Sequence, residues 1–137
     1  MYTNLNDFFD IYATALSNYD TKGMAFLYAS PCIFISNEKS TVFSEPSQLE
    51  GLFNQGIGFY KQYGITNVVA ELRSWRHITD KIIIAKLRWK YCDENNTLLY
   101  DCDYEYIIKA DKHGKWKIEM AISINEKERM EAWLKNK

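Results

Sequence analysis

The sequence is short of the residues that break a chain or staple it. Two prolines and six glycines among 137 residues leave no room for a Pro/Gly-rich linker or a low-complexity segment. Three cysteines, Cys32, Cys92 and Cys102, are too few for a secreted disulfide scaffold, and free thiols in a reducing cytoplasm are expected. No apolar run approaches the ~20 residues of a membrane span. Met1-Tyr2-Thr3-Asn4 has neither a basic region nor an apolar stretch, so no secretory signal is expected. A surplus of one charge is also missing. Seventeen Lys and Arg stand against eighteen Asp and Glu, a net charge of −1, which argues against a nucleic-acid or anionic-membrane surface. There is no glycine-rich phosphate loop, no serine nucleophile elbow and no Cys/His spacing for zinc. No motif fixes a reaction, and neither metal nor cofactor is expected.

What is present is aromatic and alternating. Hydrophobic residues make up 47% and charged residues 26% of the chain, ordinary for a globular protein, and residues 1–137 read as one domain. From Ile65 to Ile124 the chain reads as a four-stranded antiparallel meander: Ile65–His77, Lys81–Cys92, Leu98–Ala110 and Lys115–Ile124. These runs are rich in Val, Ile, Tyr and Trp at period two. On the second strand Ile83, Ala85, Leu87, Trp89 and Tyr91 share a face, opposite Lys86, Arg88 and Lys90. On the third, Tyr100, Cys102, Tyr104, Tyr106 and Ile108 share a face, opposite Asp101, Asp103 and Glu105. Pairing Lys90 with Asp101 brings Arg88 to Asp103 and Lys86 to Glu105, and gathers the aromatics inside. The same parity sends Cys92 and Cys102 to opposite faces, so they are not expected to bond.

Before the meander, Asn4 is placed to cap a helix running to about Tyr19, with Leu5, Phe8, Phe9, Tyr12 and Leu16 on its apolar face. Asp20 caps a short helix through Gly23–Ala29, ended by Pro31. Cys32–Ser36 and Thr41–Ser44 read as a small hairpin. Pro46 opens a third helix, where Ser47 and Glu50 suit a capping box. Leu49, Leu52, Phe53, Ile57 and Tyr60 mark its buried side, Gly56 and Gly58 suggest a bend or a close approach, and Gly64 ends it. After the meander, Asn125 and Glu128 mark a last helix with Met130, Trp133 and Leu134 on a narrow apolar side.

Helices gathered before an antiparallel sheet predict an α+β fold with the helices on one face. This layout, with Tyr12-Ala13-Thr14-Ala15-Leu16-Ser17-Asn18-Tyr19-Asp20, Phe26-Leu27-Tyr28-Ala29-Ser30-Pro31 and Gly114-Lys115-Trp116-Lys117-Ile118, resembles the nuclear transport factor 2-like superfamily. That is the cone-shaped, cystatin-like fold of ketosteroid isomerase, scytalone dehydratase and the SnoaL-like proteins, and the resemblance covers nearly the whole chain. It implies a strongly curved sheet with a pocket between its concave face and the N-terminal helices. In ketosteroid isomerase such a pocket holds an Asp base and an oxyanion hole of a Tyr and a protonated Asp. Carried over, the oxyanion Tyr falls on Tyr12, the base near Ser36 and the second acid near Asp103. Serine is no base at neutral pH, and strand parity points Asp103 outward, so ketosteroid-type chemistry at these positions is not expected.

The remaining candidates form an aromatic lining: Phe53 and Tyr60 from the third helix, with Trp89, Tyr91, Tyr104, Tyr106 and Trp116 from the sheet. A dry core would prefer Phe to so many hydroxyls that need partners, which favours a ligand pocket that also contains Tyr12, and the resemblance adds Ser36 to it. Arg76 falls on the inner parity, where it could meet a ligand carboxylate. His77 falls outside unless a bulge reverses it, and a contact with Asp80 across the turn is possible in sequence terms. The alternate carboxylates around Asp103 suit the charge ladder better than a metal. On the outer face the same parity places Trp75, Ile82, Ile84 and Ile107, with Trp75 opposite Ile84. This apolar cluster predicts a homodimer through the sheet, as the resemblance also implies. Two functional readings follow. One is a SnoaL-like protein that binds a small apolar or carbonyl compound and acts on it as an isomerase, dehydratase or hydrolase. The other is a non-enzymatic association module.

Overall fold

A computed structural model describes residues 4–137. Four helices and six strands follow in the order α1 (Leu5–Ser17), α2 (Thr21–Phe26), β1 (Tyr28–Ile35), β2 (Ser40–Phe43), α3 (Pro46–Tyr63), β3 (Asn67–Thr79), β4 (Ile82–Cys92), β5 (Leu98–Ala110), β6 (Trp116–Ser123) and α4 (Glu126–Lys135). The strands form one open sheet in the order β2-β1-β6-β5-β4-β3. Every neighbouring pair is antiparallel except β1 and β6, which run parallel. The fold is α+β, as the order of elements predicts.

Local chemistry sets the helix ends. The Asn4 side chain accepts the Asn6 amide, and the Asp20 carboxylate accepts the amide of Gly23, each satisfying a first-turn donor. α1 stops at Ser17, short of Tyr19. Tyr19 turns the chain with φ 58°, and its hydroxyl donates to the Ile65 carbonyl at 2.7 Å. The second helix ends at Phe26, ahead of the expected Ala29, and Pro31 lies inside β1 rather than at a helix end. With no amide proton to give the ladder, Pro31 sits where the β1–β6 register shifts. At the start of α3 the cap is made by Gln48, whose side chain accepts the amides of Ser44 and Glu45, in place of the expected Ser47 and Glu50. α3 then runs unbroken through Gly56 and Gly58, where an added Cβ would meet no atom within 4 Å, so no close approach explains either glycine. Gly64 closes the helix in the left-handed region, φ 71°, which costs glycine no Cβ clash.

The β4–β5 register pairs Lys90 with Asp101, Arg88 with Asp103 and Lys86 with Glu105, as expected from the alternation. One face of the sheet is therefore apolar and carries the helices, and the other carries the charges. The side-chain pairs are less regular than the backbone register. Arg88 meets Asp103 at 2.9 Å, but Lys90 reaches across to Glu71 on β3 at 2.7 Å and Asp101 is held by Arg129 of α4 at 3.1 Å.

A bulge in β3 corrects three sequence-based assignments. Leu72 pairs with Leu87, Ser74 with Lys86, and Arg73 is the extra residue between them. One added residue exchanges the faces of everything after it. Trp75 accordingly stands opposite Ala85, not Ile84, on the helix side of the sheet, with its ring 5.6 Å from His77. Arg76 stands opposite Ile84 on the outer side and is exposed, so it does not point into the pocket. His77 stands opposite Ile83 on the inner side, exposed at the sheet end, with Nδ1 3.0 Å from the Thr79 carbonyl oxygen rather than bonded to Asp80.

Candidate functional site

Between α1, α3 and the sheet lies a cavity of about 450 Å³. It forms because β4 and β5 send alternate large side chains toward the helices, while α3 offers Gly56 at its rim. Tyr12 of α1, Phe53 and Tyr60 of α3, and Trp89, Tyr91, Tyr104 and Tyr106 of the sheet all line it. Ser36 lies outside it, just past β1. Its Oγ accepts the Glu38 and Lys39 amides at 3.3 and 3.4 Å, and it borders a second hollow of about 310 Å³ between the β1–β2 hairpin and α4. Trp116 is not part of either lining. It is buried at the start of β6, with its ring 6.4 Å from His77, and its Nε1 is a buried donor with no acceptor among the described residues.

The hydroxyls of the cavity form two groups. In the first, Trp89 Nε1–H donates to Tyr106 Oη at 2.8 Å, and Tyr12 and Tyr28 share a hydroxyl bond of 2.5 Å. Trp89, Tyr106, Tyr12 and Tyr28 thus bring four protons to two contacts, so two hydroxyl protons have no acceptor among the described residues. One is the Tyr106 proton; if Tyr28 donates to Tyr12, the other belongs to Tyr12, and both side chains line the cavity. Burial pushes the ionisation of Tyr12, Tyr28 and Tyr106 well above the usual tyrosine range, so these groups act as neutral donors at neutral pH.

The second group is built around Glu126, the first residue of α4. Its Oε1 accepts from Tyr104 at 2.6 Å and its Oε2 from Tyr91 at 3.1 Å. Burial first, and the charge of Glu126 next, raise the ionisation of Tyr104, while for Tyr91 burial leads, followed by Tyr60 and then Glu126. Cys102 lies beside this group, its Sγ 3.7 Å from the Tyr91 hydroxyl, and burial pushes its thiol far up. Cys32 is pushed up to about 11, again mainly by burial. All three cysteines are buried and unbonded, which disfavours the reactive thiolate form.

Sequence reasoning missed Glu126. A charged residue in the first turn of a helix reads as a solvent-facing dipole partner, and the apolar side of α4 carries no sign of it. One signal did point there. Tyr91 and Tyr104 sit on the inner parity of adjacent strands, and buried hydroxyls require acceptors. The same reasoning placed Asp103 correctly outside. Its carboxylate accepts from Arg88 at 2.9 Å and from Asn125 Nδ2 at 3.0 Å, while Asn125 Oδ1 accepts the Asp103 amide. Asp103 therefore fixes the residue before Glu126, and hence the start of α4, without entering the cavity. The Arg88 bond above all holds its carboxyl below the usual range. Tyr12 and Asp103 do not come together as a catalytic pair, and His77 reaches neither.

An open sheet covered by N-terminal helices, with a cavity between them, defines the cystatin-like and nuclear transport factor 2-like class of folds. Residues 3–126 match the family described as NTF2-like protein (DUF6841), and the chain belongs to that family. No curated protein matches it. Among solved structures it is similar to a domain of unknown function with a cystatin-like fold from Nostoc punctiforme, at 15% identity and TM-score 0.70, covering 88% of this chain and 74% of that one. It is similar to a putative calcium/calmodulin-dependent protein kinase II association domain from Xanthomonas campestris, at 19% identity and TM-score 0.64, covering 88% and 84%. A ketosteroid isomerase-like protein from Erwinia carotovora atroseptica aligns at 8% identity and TM-score 0.64, covering 86% and 90%. At these identities the likeness is one of fold, and function has to be argued from the site. No helix among the described residues is long and apolar enough to cross a membrane.

Proposed function

We propose that the protein binds a small, mostly apolar molecule bearing an oxygen acceptor, in the cavity between α1, α3 and the sheet. The observation that carries this is the pairing of an apolar, aromatic-lined space of about 450 Å³ with hydroxyl protons that have no acceptor among the described residues. Small-molecule pockets have this size and this sparse polar content. Tyr12 would receive the ligand oxygen, and the aromatic rings of Phe53, Tyr60, Trp89 and Tyr106 would sandwich its body. That makes it a small-molecule-binding member of the SnoaL-like kind. 2-Naphthol, titrated against tryptophan fluorescence, tests the reading, because Trp89 forms part of the wall. Saturable quenching is expected in the wild type. Gly56→Leu, which projects a side chain from the cavity rim, should weaken it at least tenfold, whereas Gly58→Ala on the exposed side of α3 should not. Absence of saturable binding, or equal binding by Gly56→Leu, overturns the reading.

The association reading keeps one observation in its favour. On the outer face Ile84, Ile107 and Met120 lie side by side across β4, β5 and β6, next to Ile82 and beside the charged ladder. Trp75 no longer belongs to that cluster, so the interface it would build is smaller than the sequence suggests. A homodimer through this face predicts concentration-dependent association in analytical ultracentrifugation, abolished by Ile84→Asp. A wild type that stays monomeric at high concentration removes it.

A further inference from the structure

We propose that the cavity selects an organic cation: an apolar molecule with a protonated amine, which Glu126 receives, and an acceptor oxygen at its other end. This rests on the pocket reading above and names the chemical class of the ligand.

Of the described side chains that line the cavity, Glu126 alone is charged. It is half-buried, and among the described residues no lysine, arginine or histidine forms an ion pair with it. Lys39 and Lys127 border the hollow on its other side together with Glu38 and Glu128, and none of these four lines the cavity. A carboxylate carries about four lone-pair sites on its two oxygens. Tyr104 takes one on Oε1 and Tyr91 one on Oε2, and the weak Cys102 thiol stands 4.0 Å from Oε2. The carboxylate is thus fixed in direction and keeps open acceptor sites. A charge set against apolar space without a countercharge is costly, and a ligand cation supplies what the chain does not.

The aromatic wall suits the same group. Tyr91 and Tyr104 hold Glu126 through their hydroxyls, so their rings stand beside any cation bonded to it. The ring of Tyr91 in turn lies 5.6 Å from that of Tyr60 and 4.7 Å from that of Tyr100. Aromatic faces attract ammonium groups, most of all where water is excluded. The charge of Glu126 is also felt across the space. Burial leads the rise in the ionisation of Tyr12, Tyr60 and Tyr100, and Glu126 adds to each. A wall with this sign of potential draws in cations and repels anions. The hydroxyls of Tyr106 and of the Tyr12–Tyr28 pair keep protons for an acceptor. A ligand oxygen and a ligand ammonium therefore find separate partners in one cavity.

Three phenols of one length provide the test, by isothermal titration calorimetry at pH 7: tyramine, 4-propylphenol and 3-(4-hydroxyphenyl)propanoate. They share the oxygen and the ring and differ in ending on a cation, a methyl group or an anion. The wild type should bind tyramine about tenfold or more tighter than 4-propylphenol, and the anion weakest of the three. This series needs no variant, so it stands even where a substitution disturbs folding. A wild type that binds 4-propylphenol as tightly as tyramine, or prefers the anion, overturns the proposal. Glu126→Gln keeps the size of the side chain and removes its charge, and it should bring the tyramine to 4-propylphenol ratio close to one. The ratio separates recognition from a latch role, because loosening α4 weakens both ligands alike. A Glu126→Gln ratio equal to that of the wild type therefore identifies Glu126 as a latch and overturns the proposal. A wild type that binds 2-naphthol but shows no preference for tyramine overturns the proposal while leaving the pocket reading intact. Absence of binding by 2-naphthol and by all three phenols removes both.

Discussion

Tyr106 shows how much one hydroxyl can matter in this cavity. It accepts from Trp89 Nε1, and both residues are buried. Tyr106→Phe leaves an indole N–H unsatisfied next to apolar rings, which costs roughly 1–3 kcal/mol, measured as a drop in the urea midpoint at unchanged slope. A variant as stable as wild type would mean that the indole finds another acceptor. Asp103 behaves oppositely. Its carboxyl ionises below the usual range in the folded chain, chiefly through Arg88. Its contribution is therefore present above the unfolded carboxylate pKa of about 3.9 and is lost as pH falls through the lower, folded value. Asp103→Asn should be slightly less stable than wild type at neutral pH, and the gap should close in acid. A gap that widens below pH 4 contradicts the assignment. These two residues also mark what was legible. Period-two alternation assigns both to their faces, because a sheet with one buried side fixes parity strongly. Glu126 was not legible, because its partners are remote in sequence and its helix carries no inward pattern of its own.

Two elements carry most of the site's uncertainty in sequence terms, β3 and α4. The bulge at Arg73 leaves no composition signal, since Leu72-Arg73-Ser74 reads as ordinary strand. Yet it decides that Trp75 and His77 lie on the helix side and Arg76 outside. α4 was legible as a helix from Met130 and Trp133, but not as a wall of the cavity. It has no fully buried residue and is held by aromatic contacts at one end and Glu126 at the other. Trp133 stacks on Tyr100, with centroids 5.3 Å apart, and meets Tyr63 edge-on at 5.6 Å. Trp133→Ala loses two aromatic pairs at about 0.5–1.5 kcal/mol each. The loss should appear first as faster amide exchange along α4, and only secondarily as a lower melting temperature, since a docked terminal helix opens locally. Uniform loss of protection across the sheet would show that α4 is integral to the core. In α3 Gly51, Gly56 and Gly58 sit at positions where a side chain fits. Gly58→Ala should stabilise the chain by up to about 1 kcal/mol without touching the cavity.

For the whole molecule, the order of elements and the β4–β5 register were readable from sequence because local alternation, turn residues and charge complementarity agree over that stretch. The long-range parallel pairing of β1 with β6 was not, since nothing local in either strand specifies a partner so far along the chain. That pairing brings β1 beside the meander and sets Tyr28 against Tyr12, so the donor group of the cavity depends on it. The account stands or falls on whether the space between α1, α3 and the sheet receives a ligand oxygen. A crystal structure of the complex with 2-naphthol tests this most directly. The account predicts the naphthyl ring among Phe53, Trp89 and Tyr106, with its oxygen about 2.5–3 Å from the Tyr12 hydroxyl. A cavity filled only by its own side chains, with the naphthol absent or bound elsewhere on the surface, would contradict it.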